Sequence, residues 1–404
     1  MGVDDQVELL LQGTEYGDDK LAGAMARDLR ERLSEGRPLR VYCGYDPTAA
    51  ELHLGHTITM RKLQQFQQLG HEVTFLVGSY TALVGDPSDK NKARPILTQD
   101  QVEQNAREFS EQAFRILDTE KTRVRHNSEW LSELSLLDII RLGQNFTVQQ
   151  FLARDNFAKR LDRGDPIYLH ETFYALMQGY DAAEMDIDVQ VGGTDQLFNI
   201  LVAGRKVQEV LGKRPQIAVI MGILPGTDGV QRMSKTTGNH IPIEGSAIDM
   251  YGKIMSVPDS AMSSYMRLAT RWTPDKIGEI IQRVEDGQMH PRDAKMELAH
   301  EITEVFHGPQ SAEESEANFR RVFQERKNPE VMPTYQLKGS TLLVDFLATQ
   351  GLVSSKGDAR RLIKQGGIRL GGEKVLSVSS VLEVRSQTVL QVGKRKFVSL
   401  LPAD

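Results

Sequence analysis

Apolar positions along the 404-residue chain switch between two periods, and the switch points mark the elements. Leu21, Met25, Leu29 and Leu33 recur every four residues, which predicts a helix within 6–35. Leu39, Val41 and Cys43 then alternate with polar or aromatic neighbours and predict a strand. Asp46-Pro47-Thr48 ends that strand, because proline fixes φ and has no N–H to donate. A helix is expected next, with His53 and His56 in its first turns, Met60, Leu63, Phe66 and Leu69 inward, and Gly70 as its stop. A second strand runs from Val73 to Gly78 and leads into a loop containing Asp86. Strand, helix and strand with short connections is the βαβ unit of a parallel sheet, whose ligands bind beyond the strand C-termini. The Asp46 and Asp86 loops should therefore open on one crevice.

Further along, helices are expected over 98–117 and 128–163. A strand starting at Val189 runs into Gly192-Gly193, and a helix over 197–211 and a strand over 216–221 continue the alternation. From Ser246 to about Lys327 the pattern becomes helical, with segments near 247–255, 259–269, 273–285, 291–306 and 309–325. Pro329, Pro333 and Gly339 mark a linker. The remainder opens with two short helices and ends β-rich. The expected fold class is α/β: a Rossmann-like parallel-sheet domain at 1–245, an α-helical domain at 246–330, a linker at 331–339 and a small α+β domain at 340–404.

Charge sharpens this division. The net charge is −6, yet residues 335–404 carry eleven Lys/Arg against five Asp/Glu, leaving −12 on the rest. A basic end on an acidic body points to a polyanion bound at one end. No apolar run approaches the roughly 18 residues of a membrane span, and Met1-Gly2-Val3-Asp4-Asp5 does not read as a signal peptide. A single cysteine, Cys43, excludes an internal disulfide and suits a reducing cytoplasm.

Several stretches could carry chemistry. His53 and His56, three apart near a helix N-terminus, suit an anionic oxygen such as phosphate, with Gly55 leaving room for close approach. The same spacing also fits a surface pair or half of a metal site, although no third ligand stands at a familiar distance. Tyr174, Gln178 and Asp181 fall at i, i+4 and i+7, so one helix face carries a phenol, an amide and a carboxylate. That face either meets water or lines a polar pocket able to take an ammonium and a hydroxyl. The basic loop 89–95, with Lys90 and Arg94, and the loop at Arg232-Met233-Ser234-Lys235-Thr236 each fit a solvated surface as well as a phosphate contact. Arg360, Arg361 and Lys364 cluster on one helix of the basic end, as phosphate-gripping cations do.

The run Tyr42-Cys-Gly-Tyr-Asp-Pro-Thr-Ala-Ala-Glu-Leu-His-Leu-Gly-His56 resembles the HIGH region of class I aminoacyl-tRNA synthetases, and specifically of the tyrosyl family. Residues 232–236 resemble the family's KMSKS loop, with Arg232 in place of the first lysine and Thr236 in place of the last serine. Residues 352–375 resemble the small RNA-binding domain shared by a ribosomal small-subunit protein and some RNA-modifying enzymes. The likeness to the bacterial tyrosyl family spans essentially the whole chain.

That resemblance implies tyrosine–tRNA ligation: activation of L-tyrosine with ATP, then transfer to tRNA(Tyr). It implies tyrosine contacts at Tyr42, Asp86, Tyr174, Gln178, Asp181, Gln190 and Gln196. It implies ATP contacts at Cys43, Asp46, Thr48, His53, Gly55, His56, Thr59, Gly192, Asp195, Met233, Ser234 and Lys235. The groups expected to act on the phosphates are His53, His56, Arg232, Lys235, Thr236, Lys90 and Arg94, and tRNA would meet Arg360, Arg361 and Lys364. The resemblance further implies Mg2+ arriving with ATP, no protein-bound metal, an anticodon-binding role for 246–330, and a cytoplasmic homodimer with no membrane association. Two rivals are the tryptophanyl family, which Tyr42 with Asp181 argues against, and a non-catalytic RNA scaffold. The presence of His53, His56, Asp86, Asp181 and Lys235 argues against the scaffold.

Overall fold

The structure is a computed structural model and describes residues 1–47, 52–87, 98–325, 328, 332–337, 339–393 and 396–403. The chain forms two compact units, one of residues 1–245 with 253–306, the other of 246–252 with 307–404.

In the first unit, α1 (Val3–Leu11) and α2 (Asp19–Ser34) precede β1 (Arg40–Tyr45), α3 (Thr57–Gln68) and β2 (Glu72–Val77). Then come α4 (Thr81–Val84), α5 (Gln99–Ala113), β3 (Thr122–His126), α6 (Ser128–Leu131), α7 (Leu136–Gly143), α8 (Val148–Leu152), α9 (Asp155–Arg163) and α10 (Leu169–Glu184). β4 (Val189–Gly193), a π-helical segment (Phe198–Gly204), α11 (Arg205–Val210) and β5 (Ile217–Met221) complete the sheet region. The sheet has the order β3-β2-β1-β4-β5 and every pairing is parallel. This is the Rossmann-like arrangement expected, and its strand order reverses between β1 and β4, where such sheets open a crevice.

The central strand β4 is almost wholly buried, Gln190 included, as expected of a parallel sheet covered on both faces. All five β5 residues are buried although β5 lies at the sheet edge. Residues 13–15 close that edge: the Glu15 N–H donates to the Ile220 carbonyl at 2.7 Å and the Gly222 N–H to the Gly13 carbonyl at 3.0 Å. The opposite edge strand, β3, exposes four of its five residues. Its lack of an apolar face hid it from the periodicity.

Residues 128–163, expected as one helix, divide into α6 to α9. Capping boxes at Ser135 with Asp138 and at Thr147 with Gln150 start α7 and α8. The expected helix over 197–211 begins as the π-helical segment and becomes α-helical only at Arg205. α12 (Ala247–Met255), α13 (Met262–Ala269), α14 (Pro274–Glu285), α15 (Pro291–His307) and α16 (Pro309–Phe319) then match the helical run expected after Ser246.

In the second unit, β6 (Thr334–Leu337), β7 (Thr341–Leu342), α17 (Leu343–Thr349) and α18 (Lys356–Lys364) lead to β8 (Ile368–Leu370), β9 (Glu373–Lys374), β10 (Val381–Leu382), β11 (Thr388–Val392) and β12 (Lys396–Pro402). A five-stranded sheet, β6-β12-β11-β8-β9, shares one core with the two helices through Leu347, Ile363, Ile368, Leu390 and Leu400.

Candidate active site

Beyond the C-terminal ends of β1 and β4 lies a cavity of about 290 Å³. Its walls bring together Tyr42, Cys43, Asp46, Gly55, His56, Thr59, Asp86, Tyr174, Gln178, Asp181, Gln190, Gly192, Asp195, Gln196 and Arg232, residues scattered over nearly 200 positions of sequence. The face of α10 left open between water and a pocket points into the pocket: Tyr174 and Asp181 are buried and line it with Gln178.

Asp181 is braced from behind. The Trp130 indole N–H donates to its Oδ1 at 2.7 Å and the Asn127 amide to its Oδ2 at 3.2 Å. Burial pushes its carboxyl up to about 8; the two donors oppose that shift, and the nearby Asp46 charge adds to it. The Tyr42 phenol is held well above its ordinary value, chiefly by burial and then by the Asp181 charge, and it donates to the Gln178 carbonyl at 3.3 Å. The Asn127 amide also donates to the Thr81 hydroxyl at 3.0 Å, and Thr81 donates to Asp46 Oδ1 at 2.7 Å. Tyr174 donates to the other Asp46 oxygen at 3.0 Å.

A chain of amides lines the adjoining wall. Asn199 Nδ2 donates to Gln178 Oε1 and Gln196 Oε1, both at 2.9 Å. Gln196 Nε2 in turn donates to Asp86 Oδ2 at 2.7 Å and Asp195 Oδ2 at 3.1 Å. Gln216 Nε2 donates to Gln190 Oε1 at 2.6 Å. Each amide has its direction set by the next, so the polar wall is preformed.

His53 and His56 lie before α3, which starts at Thr57, and not within its first turns. Residues 52–54 are kept out of the helix by extended pairing with 241–243: the Leu54 N–H donates to the Ile241 carbonyl at 2.9 Å, and the Ile243 N–H to the Leu52 carbonyl at 3.3 Å. The two imidazoles still share a face, stacked with ring centroids 3.7 Å apart. His53 is lowered to about 3, chiefly by burial and then by His56, and His56 to about 4 by burial and the Arg232 charge. Both are neutral at pH 7. The His53 backbone N–H donates to His56 Nδ1 at 3.2 Å, which assigns the proton to Nε2 of that ring. His53 and Met233 sit in a smaller adjoining cavity of about 70 Å³, which shares Gly55, His56, Thr59, Asp195 and Arg232 with the larger one. Thr59 is within 2.9 Å of the Tyr45 hydroxyl, and burial pushes the Cys43 thiol up to about 11.

The loop carrying Ser234, Lys235 and Thr236 stands outside both linings. Its start is tied down by the Met233 N–H donating to the Leu224 carbonyl at 3.1 Å. Asn239, buried at its far end, organises the rest. Its Oδ1 accepts the Ser234 N–H at 2.8 Å and the Thr237 hydroxyl at 2.7 Å; its Nδ2 donates to Asp228 Oδ2 at 2.5 Å and to the Arg232 carbonyl at 3.2 Å. Lys235 and Thr236 remain exposed.

Thr48, Lys90 and Arg94 lie outside the described residues. Arg360, Arg361 and Lys364 are all exposed on α18 in the second unit, anchored by buried Ala359 and Ile363. Sequence reasoning missed Asn127, Trp130, Asn199, Gln216 and Asn239. Trp130 beside a polar junction was a readable signal; Asn127 and Gln216 had none, because Asp181 and Gln190 are remote in sequence, whereas Asn239 pairs locally within its own loop. Among the described residues, no group of three or more His, Cys, Asp or Glu is arranged to hold a metal ion.

Residues 34–324 match the family of class I tRNA synthetases for W and Y, and residues 325–400 match the tyrosine–tRNA ligase SYY-like C-terminal domain. The tyrosine–tRNA ligase of Moorella thermoacetica is 47% identical over 373 residues, 92% of this chain and 90% of that protein. That of Oleidesulfovibrio alaskensis is 44% identical over 404 residues, covering 99% of this chain and 100% of that one. In fold, the chain is similar to a C-terminally truncated mitochondrial tyrosyl-tRNA synthetase of Aspergillus nidulans (TM-score 0.62, 24% identity, 80% of this chain and 94% of that one). A tyrosyl-tRNA synthetase of Archaeoglobus fulgidus complexed with L-tyrosine has a TM-score of 0.60 at 21% identity, covering 78% of this chain and 100% of that one. With relatives at this identity over nearly its full length, and with its β1 to β5 core matched by the family, the chain belongs to the tyrosine–tRNA ligases of class I.

Proposed function

We propose that the chain activates L-tyrosine with ATP and transfers it to tRNA(Tyr). One tyrosine carboxylate oxygen attacks the α-phosphorus of ATP, the bond to the β-phosphate oxygen breaks, and pyrophosphate leaves. The terminal ribose hydroxyl of tRNA then attacks the activated carbonyl, and AMP leaves. The carboxylate is already ionised, so the first step needs positioning and charge stabilisation rather than a strong base. The observation that carries this reading is the closed polar set around Asp181, Tyr42 and Gln178, next to stacked neutral imidazoles at the mouth of the same crevice.

On this assignment the substrate phenol lies between Tyr42 and Asp181. Its ammonium is held by Asp86, Tyr174 and Gln178, and its carboxyl lies beside Gln196, with Gln190 completing the wall. Nucleotide contacts fall to Cys43, Asp46, Thr48, His53, Gly55, His56, Thr59, Gly192, Asp195, Met233 and Ser234. Because both histidines are neutral, they act as N–H donors to phosphate oxygens, and the positive charge comes from Lys235 and Arg232, with Lys90 and Arg94 and the hydroxyl of Thr236 assisting. Mg2+ enters with ATP as part of the substrate. The helical segment 246–330 would read the anticodon arm, and 340–404 would grip tRNA phosphates through Arg360, Arg361 and Lys364.

Leu136, Leu137, Ile140, Val148, Leu169 and Phe173 are exposed on α7, α8 and α10. Apolar exposure of that kind supports a homodimer, testable by sedimentation. No helix among the described residues is long and apolar enough to cross a membrane, in keeping with a cytoplasmic site of action. The deciding experiment is amino-acid-dependent ATP–pyrophosphate exchange. Exchange with tyrosine but not tryptophan or phenylalanine is expected; exchange with tryptophan would overturn the roles of Tyr42 and Asp181.

A further inference from the structure

Behind Asp86 stands a cation that the reading above leaves unused. Arg154, at the junction of α8 and α9, has a side chain only 4% exposed, and its Nη2 lies 3.9 Å from Asp86 Oδ1. Its guanidinium sits 5.5 Å from the Phe157 ring centroid and 5.6 Å from that of Phe198, so aromatic faces fix its plane. Burial lowers its pKa, and the charge of Asp86 is the largest influence holding it up. The same α9 N-terminus grips the backbone beside Asp86 as well: Asn156 Nδ2 donates to the Pro87 carbonyl at 2.6 Å. Asp86 and Asp195 meanwhile share the Gln196 amide, two carboxylates on one donor, and Asp86 raises the pKa of Asp195 after burial has done so.

We propose that Arg154 is a positioning residue that fixes the Asp86 carboxylate against its neighbour Asp195, so that Asp86 meets the α-ammonium of the amino-acid substrate. This rests on the assignment of Asp86 to that ammonium. Arg154 acts from the side of Asp86 away from the cavity, since Asp86 lines the cavity and Arg154 does not. It therefore sets the strength of ammonium recognition without touching the phenol or the carboxyl.

The test uses three ligands titrated calorimetrically into the full chain: tyrosine, tyrosinol, which keeps the ammonium and lacks the carboxylate, and 3-(4-hydroxyphenyl)propionate, which keeps the carboxylate and lacks the ammonium. Arg154→Gln should weaken tyrosine and tyrosinol alike, by about tenfold, and leave the propionate within about twofold. That last ligand doubles as proof that the pocket is folded. Arg154→Lys, which keeps charge but loses the planar fork, should recover part of the loss. Equal weakening of all three ligands would reduce Arg154 to a packing role and overturn the proposal. Weakening confined to the two carboxylate-bearing ligands would make it a direct contact and also overturn it. Asp86→Asn is run in parallel. If it leaves tyrosinol binding unchanged, the assignment of Asp86 fails and takes the proposal with it; if it weakens tyrosinol while Arg154→Gln does not, the proposal alone fails.

Discussion

Around Asp181 each polar group is held by another: Trp130 and Asn127 aim at the carboxylate, Asn127 at Thr81, and Thr81 at Asp46. Around Lys235 it is the backbone that is braced. The backbone of the loop is pinned by Asn239 and Leu224, while Lys235 and Thr236 reach into solvent. The first region is rigid before any ligand arrives and so can refuse a side chain lacking the right hydrogen bonds, because a poor fit leaves buried groups unpaired. The second is a set of exposed side chains on a fixed stem, which the proposed function turns toward phosphates. On the proposed assignment, selection and phosphate stabilisation are built by different physics within one unit, and the two should fail differently.

The largest expected effect lies at the exposed charge. Lys235→Ala should lower kcat for tyrosine-dependent pyrophosphate exchange by about a hundredfold to a thousandfold, the cost of removing one electrostatic donor to a developing charge. Tyrosine binding without ATP should be unchanged. Asp181→Asn should show the reverse signature: a loss of about a hundredfold in kcat/KM for tyrosine, with KM for ATP little altered, because the amide sets an NH2 group against either the Trp130 or the Asn127 donor, where both oxygens of the carboxyl accept. Steady-state exchange at varied tyrosine and ATP separates the two. If both variants lost affinity for both substrates, the two regions would be one mechanical unit and the contrast would collapse.

The contrast also explains what could be read from the chain. Four of the five strands and the helical run after Ser246 were legible because their signals are local: alternation in β1, a four-residue spacing in α2, glycine at the stop of α3. The motifs around His53 and Lys235 were legible because the residues are contiguous. The bracing of Asp181 was not. Asn127 and Trp130 come from the junction of β3 and α6, and β3 is an edge strand whose exposed Arg123, Val124, Arg125 and His126 present no buried face. Asn199 reaches Gln178 and Gln196 from the π-helical segment, a local widening of the helix that no periodicity announces. The position of His53 and His56 ahead of α3 also depended on a remote partner, residues 241–243. The bracing of Asp181 was hidden because its partners lie far along the chain.

A smaller effect should come from the stem of the loop. Asn239→Ala removes an acceptor for the Ser234 N–H and a donor to the Arg232 carbonyl, leaving Lys235 present but poorly placed. A loss of about tenfold in kcat/KM for ATP is expected, with tyrosine binding intact. Asn239→Asp keeps the acceptor, loses the amide donors and sets a second carboxylate against Asp228, so it should not rescue. A rescued Asp variant would mean that the donors to Asp228 and Arg232 do not matter.

The finest distinction is in pH, where the two regions carry opposite signs. Asp181 in the folded chain holds its proton up to about 8, against 3.8 when unconstrained. Between those values the native state binds the extra proton, so this contribution to stability is fully present below pH 4 and is lost as pH rises through 8. His53 and His56 fall to about 3 and about 4 from 6.5. There the unfolded chain binds more protons, so their contribution is full above pH 6.5 and is lost as pH falls toward 4. Within its window each group weighs about 1.4 kcal/mol per pH unit, on the order of 2 °C in Tm for a chain of this size. Asp181→Asn should therefore flatten the decline in Tm between pH 6.5 and 8 and steepen the rise between pH 4 and 6.5, where its opposing slope is removed. His56→Asn should soften the acid limb between pH 4.5 and 6.5 and leave the alkaline side alone. The windows overlap between pH 4 and 6.5, where two histidines oppose one carboxyl, so the parent protein should still gain stability with rising pH there by about 1.4 kcal/mol per unit, one group's worth. A parent Tm that climbs gently across that overlap, steepened by Asp181→Asn and levelled by His56→Asn, is the outcome that opposite burial of one acid and two bases requires.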